Sequence, residues 1–210
     1  MSRLSTAILV AVAGAAFVLG QSIRPNAAVG APTQPEGEMD GDMAAMMEAM
    51  TQAGTPGPHH RHLDAMLGTW HGTMKWTPAP GAPAMEFPGV AIREWVLEGR
   101  YLREVVKSEG PGGMVFEGIG YTAFNNQDLR YETVWMDSMS TAIYMGHGTF
   151  NDQTKVFTFH QTMRDPATGR VVASWGEMDM SDPSRHVMTG WSYAEDGSVF
   201  QNAEGVFTKE

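Results

Sequence analysis

A succession of short segments that alternate in polarity constrains this chain more than any other feature. Trp70, Gly72, Met74 and Trp76 alternate with Thr69, His71, Thr73 and Lys75, the two-residue period of a strand with one apolar face. Similar runs follow at 89–97, 100–108, 114–124, 129–137, 141–150, 154–163, 170–180, 185–193 and 198–208. Turn residues separate them: Glu98-Gly99, Asn125-Asn126-Gln127-Asp128, Asn151-Asp152-Gln153, Asp165-Pro166-Ala167-Thr168-Gly169 and Asp196-Gly197, each able to reverse the backbone through a side-chain cap or a positive φ. About ten antiparallel strands on short loops, with almost no helix, predict a sandwich or an up-and-down barrel. Connection between nearest neighbours throughout favours the barrel, and closure leaves no unpaired edge. Gly118, Gly120, Gly146, Gly148 and Gly176 fall inside strands, where they read as sites of sharp coiling or bulging. No helix follows them, so they do not form a phosphate-binding loop.

The segments before the strands are of another kind. Residues 1–20 read as a secretory signal: Arg3 is the basic start, residues 7–19 are an apolar run, and Gly20, Ala28 and Ala31 offer small residues for cleavage. The run is short for a membrane span, and an uncleaved N-terminal anchor is the alternative. Either way the body is expected outside the cytoplasm, periplasmic or extracellular, with no membrane span after cleavage. Residues 21–58 form a linker broken by Pro25, Pro32, Pro35, Gly37 and Gly41, containing one helix over 42–52 that Asp42 caps and Gly54 and Pro56 end. Met43, Met46, Met47 and Met50 lie on one face of it. Thioethers suit Cu(I), but the preferred reading is an amphipathic helix docked on the domain, or on a protein partner, through adaptable methionines. A second short helix holds His59, His60, Arg61, His62, Leu63, Met66 and Leu67, and Gly68 stops it. Adjacent His59 and His60 point about 100° apart on a helix, so the three histidines do not make a metal-site spacing. The barrel domain is taken as 59–210.

Composition removes several function classes. With 14 Lys+Arg against 24 Asp+Glu, the net charge is −10, the wrong sign for a nucleic-acid partner. The chain has no cysteine, hence no disulfide framework, thiolate zinc site or cysteine nucleophile. Ser138 and Ser140 lack the strand-to-helix elbow of a serine hydrolase.

Two sets of residues carry a family resemblance. Gly68-Thr69-Trp70 opens the first strand and resembles the Gly-x-Trp entry of lipocalins and other calycin barrels. In that group the tryptophan closes one barrel end beneath a basic residue of the last strand, a place that Lys209 would take. Phe116-Glu117-Gly118-Ile119-Gly120, Trp135-Met136-Asp137-Ser138-Met139, Gly146-His147-Gly148-Thr149 and Asp165-Pro166-Ala167-Thr168-Gly169, with Thr55-Pro56-Gly57-Pro58 before them, resemble the bacterial domain-of-unknown-function family numbered 1579. The resemblance runs from about Met43 to the C-terminus and implies a calycin-like barrel. It carries no catalytic residues. The chain departs from the family's Gly-Tyr-Asp-Asn stretch at Tyr121 to Asn126, and has Glu98 where the family favours glycine.

Small barrels bind ligands in an interior lined by apolar and aromatic side chains with few polar groups. The candidate interior set is Trp70, Met74, Trp135, Asp137, His147, Phe157, Phe159, Trp175 and Glu177, and the expected ligand is a small, largely apolar molecule. Asp137 and Glu177 are read as inward carboxylates that either orient that ligand, act as acid–base groups with His147, or pair with Arg93 or Arg103. No cofactor is predicted; an inward His147 would open a route to haem, which needs one axial histidine. His160 is expected to face outward.

Overall fold

The computed structural model describes residues 36–165 and 168–210, with side-chain surroundings from Gly41 onward. The segment read as a signal, most of the linker, and Pro166 and Ala167 lie outside the described residues. The barrel unit runs from Ala44 to Glu210.

Two helices precede the strands. Helix α1 spans Glu36–Gly54, longer than the expected 42–52. Gly37 and Gly41 do not break it: each glycine costs about 1 kcal/mol in a helix, while Met, Ala, Glu and Gln fill most other positions. Its end is met from a strand loop: the Asn126 amide donates to the carbonyls of Gln52 and Ala53 in the last turn, at 3.4 and 3.1 Å, and to that of Thr55 just beyond the helix, at 2.8 Å. The expected docking of α1 through its methionines is not what is found, because Met43, Met46, Met47 and Met50 are all exposed. Helix α2 is Pro58–Arg61, with proline in the first turn where its missing N–H costs nothing, and it tightens into a 3₁₀ turn over His62–Met66. Gly68 ends this segment at φ 107°, a conformation open to glycine, and turns the chain into the first strand.

Ten strands follow: β1 Gly68–Trp76, β2 Met85–Val96, β3 Tyr101–Gly110, β4 Met114–Asn125, β5 Arg130–Asp137, β6 Tyr144–Asn151, β7 Val156–Arg164, β8 Val171–Asp182, β9 Arg185–Tyr193 and β10 Val199–Lys209. Each pairs antiparallel with its neighbours in sequence, and β1 pairs with β10, so the meander closes into a barrel. Two loops are built alike. The Asn125 side-chain oxygen accepts the N–H groups of Gln127 and Asp128, and that of Asn151 accepts those of Gln153 and Thr154. Leu129 and Lys155 then close these loops at positive φ, bonding back to the carbonyls of Asn125 and Asn151 at 2.8 Å.

Residues opposite one another across a ladder share a face, so buried Trp70 fixes the inside of the barrel. Its register partner is Ala91, which opposes Val106, then Gly118, then Asp137. Much of the inner wall is glycine overlaid by rings from adjoining strands. A Cβ on Gly118 would lie 2.2 Å from the Trp135 ring, and one on Gly176 would lie 2.4 Å from Phe159. The strand glycines thus make room for flat aromatic packing, which lets one wall position carry the bulk of two.

Candidate functional site: the barrel lumen

One end of the barrel is plugged. Leu63 and Met66 of the 3₁₀ turn join Leu102, Phe124, Tyr131, Phe157, Met178 and Met180 in a single buried cluster. The histidines beside them serve this packing. His59 stacks on Phe124 at 4.3 Å and His62 lies against Phe150 at 4.5 Å. His60 Nδ1 accepts the Gly57 N–H at 3.0 Å. The Tyr131 hydroxyl donates to the His59 carbonyl at 2.8 Å, so its 2.8 Å contact with His62 Nδ1 has the ring nitrogen as donor. Burial lowers the pKa of His60 and His62 and raises that of Tyr131, in each case disfavouring the charged form.

Above the plug lies a polar floor. The Trp70 indole donates to the Met66 carbonyl at 2.8 Å and stacks on His186 at 3.9 Å. Lys209 Nζ stands 5.5 Å from the Trp70 ring, where a basic residue of the last strand was expected, and the Arg93 guanidinium stands 5.9 Å from it as a second cation. Arg93 Nε and Nη2 both donate to Glu104 at 2.7 Å. Arg103 faces outward instead and pairs with Glu94 at 2.8 Å. Arg93 Nη1 and both ring nitrogens of His186 are buried without a hydrogen-bond partner among the described residues.

His186 makes the floor sensitive to acid. Burial, and then the charges of Arg93 and Lys209, lower its pKa from 6.5 to about 4. As pH falls through that window the unfolded chain binds a proton that the fold refuses, so stability declines, by about 3 kcal/mol once both states have titrated. Urea midpoints measured from neutral pH down to about pH 4 should fall more steeply for the native chain than for His186→Phe. Equal slopes would show that His186 is not the group responsible.

Among the described residues, the opposite end carries no such cluster. Met85, Phe87, Phe116, Trp135, Met163 and Phe200 take inward register positions there and are all partly exposed. Phe116 stacks on Trp135 at 6.5 Å and 19°, and Phe87 lies 6.2 Å from Phe116, making an aromatic wall across β2, β4 and β5. Asp137 is anchored to this wall: it accepts the Trp135 indole N–H at 2.9 Å and the Met139 N–H at 2.9 Å. On another arc of the barrel, Gln161, Ser174 and Ser192 face one another on β7, β8 and β9. Ser174 Oγ is buried without a partner.

The structure divides the sequence-derived set. Trp70, Met74, Trp135, Asp137, Phe157 and Phe159 are on the inner face, with Trp70 and Phe157 at the plugged end. His147, Trp175 and Glu177 are on the outer face. His147 opposes Glu132 and His160, and its ring stacks on His160 at 5.7 Å. Trp175 stacks on Trp191 at 6.0 Å, and Glu177 lies between Thr158 and Thr189. Ile143 and Met145, which alternate in phase with His147, are both exposed, and the inner positions of β6 are Tyr144, Gly146, Gly148 and Phe150. Asp137, Glu177 and His147 therefore do not share a cavity, and His147 gives no route to haem inside the barrel. Sequence reading missed Glu104, Gln161, Ser174 and His186. The alternation rule applied from Trp70 around the barrel finds them, but only once the register is known.

A closed ten-stranded meander with a helical plug, entered through Gly-x-Trp beneath basic side chains, is a calycin-like barrel. Residues 55–209 match the family described as "Protein of unknown function (DUF1579)", and the chain belongs to that family. Comparison with curated proteins finds no match. Among solved structures, Rv2717c from M. tuberculosis is 16% identical with TM-score 0.56, over 74% of this chain and 99% of that one. The S-type phycobiliprotein lyase CPES from Guillardia theta is 12% identical with TM-score 0.53, over 75% of this chain and 95% of that one. Both share the fold. Among the described residues, no helix is long and apolar enough to cross a membrane.

Proposed function

We propose that this chain is an exported binding protein that holds a small, largely apolar molecule in the unplugged half of the barrel. The carrying observation is the inner wall of Phe87, Phe116 and Trp135, partly exposed at the unplugged end, with the buried Ser174 hydroxyl, unpaired among the described residues, on another arc of the inner face. An apolar wall open to water gains by covering itself with ligand, at about 25 cal/mol per Å² of apolar surface removed from water. A buried hydroxyl without a partner favours a ligand that brings a hydrogen-bonding group. The reading rests on the lumen and not on the fold relatives, because a shared fold does not fix function.

Native mass spectrometry of the protein purified gently from its own host, compared with its denatured mass, tests this reading. Added mass that disappears on denaturation is the expected result, on a polypeptide shortened by the segment read as a signal. The neutral fluorophore 1-aminoanthracene gives an independent readout. Its emission should rise on binding to the native chain and not to Val172→Trp, which narrows the lumen from an inner position of β8 opposite Met163. A bare full-length polypeptide, with fluorophore emission that Val172→Trp leaves unchanged, would overturn the proposal.

A further inference from the structure

We propose that the exposed methionine face of α1 is a soft-metal site that takes Cu(I) through the thioethers of Met46, Met47 and Met50. At 100° per residue Met46 and Met47 point about 100° apart, as adjacent His59 and His60 do, but Met50 lies between them one turn along and pairs with both at i+4 and i+3, and the longer methionine side chains can reach across that arc. Three rotatable bonds let each sulfur swing toward a common point. An apolar stripe of this kind ordinarily packs on a core. Here Met46, Met47 and Met50 are 50%, 42% and 54% exposed. The residues that close the neighbouring barrel end are Leu63 and Met66, from a different element. Packing therefore does not account for the methionine face.

The electrostatics of α1 suit a cation. Over residues 44–54 it carries Glu48, one turn or less from each of these methionines along the helix, and no Lys or Arg. A carboxylate raises the local concentration of any cation, and the thioethers then select the soft monovalent one. The chain contains no cysteine, so thioethers are the soft ligands it can offer. The hydrogen bonds of this part of the helix among the described residues do not use the sulfurs: the Thr51 hydroxyl donates to the Met47 carbonyl and the Gln52 amide donates to Glu48.

The test uses the whole chain under anaerobic conditions, with ascorbate-reduced copper held by bicinchoninate. The native chain should withdraw one equivalent of Cu(I) from the coloured complex. The variant Met46→Leu/Met47→Leu/Met50→Leu should lose that equivalent. Leucine keeps helix propensity and apolarity while removing sulfur, and the three positions are exposed, so the barrel's unfolding transition should not move. Methyl NMR with Ag(I) localises the site: three methionine methyl signals that vanish in the variant should be the ones that shift. Failure of the native chain to withdraw copper, or equal withdrawal by the triple variant, would overturn the proposal.

Discussion

Glu104→Ala is expected to lower folding stability by about 3–5 kcal/mol, because it leaves a buried guanidinium without its counter-ion. The Arg93 side chain is 3% exposed and that of Glu104 25%, so the two halves of the pair are not equivalent. A lone Glu104 can recover water; a lone Arg93 keeps only the faces of Trp70 and Phe207, each 5.9 Å from its guanidinium carbon. Arg93→Met should therefore cost less than Glu104→Ala. The double variant Arg93→Met/Glu104→Leu should recover much of the loss, since well-packed apolar replacements of buried ion pairs are often neutral. Urea unfolding followed by circular dichroism measures all three. A double variant as unstable as Glu104→Ala would show that the pair stabilises the floor by more than cancelling its own charges.

Trp70→Ala should cost about 3–5 kcal/mol through loss of a fully buried aromatic and the cavity left behind. Four groups lose a partner together: the His186 ring, the Arg93 and Lys209 cations and the Met66 carbonyl. The last of these matters to architecture, because Met66 ends the 3₁₀ turn that carries the plug. Trp70→Phe keeps a ring for His186 and the cations but removes the indole N–H, so it should lose about 1 kcal/mol, near the worth of one hydrogen bond. If Trp70→Ala does not fold, Trp70→Phe still decides the matter. A phenylalanine variant as stable as the native chain would show that the bond to Met66 does not hold the plug.

These two residues also show how unevenly the site can be read from the chain. Trp70 is legible at once, since Gly68-Thr69-Trp70 begins the first alternating run and marks a barrel entry. Arg93 was legible only as one of two arginines that an inward carboxylate might meet, and its actual partner, Glu104, drew no notice in a run of mixed residues. The histidines at 59, 60 and 62 read as a ligand-rich cluster without ligand spacing; their partners, Phe124, Phe150 and Tyr131, come from strands more than sixty residues away.

The number of strands, their order and their antiparallel, neighbour-to-neighbour connection follow from the sequence by itself. Period-two alternation and turn chemistry are local properties, and short loops leave a strand little choice of partner. Which face of each strand looks inward is not local when both faces carry apolar residues. In β8, Val171, Ala173 and Trp175 alternate with Val172, Ser174, Gly176 and Met178, and either set would serve as a lining. The choice falls to the second set because Gly176 accepts the Phe159 ring from the adjacent strand, as Gly118 accepts Trp135. Closure then carries one register around all ten strands. The inner wall is thus settled by pairs of residues on different strands, a property that exists only once the barrel has closed.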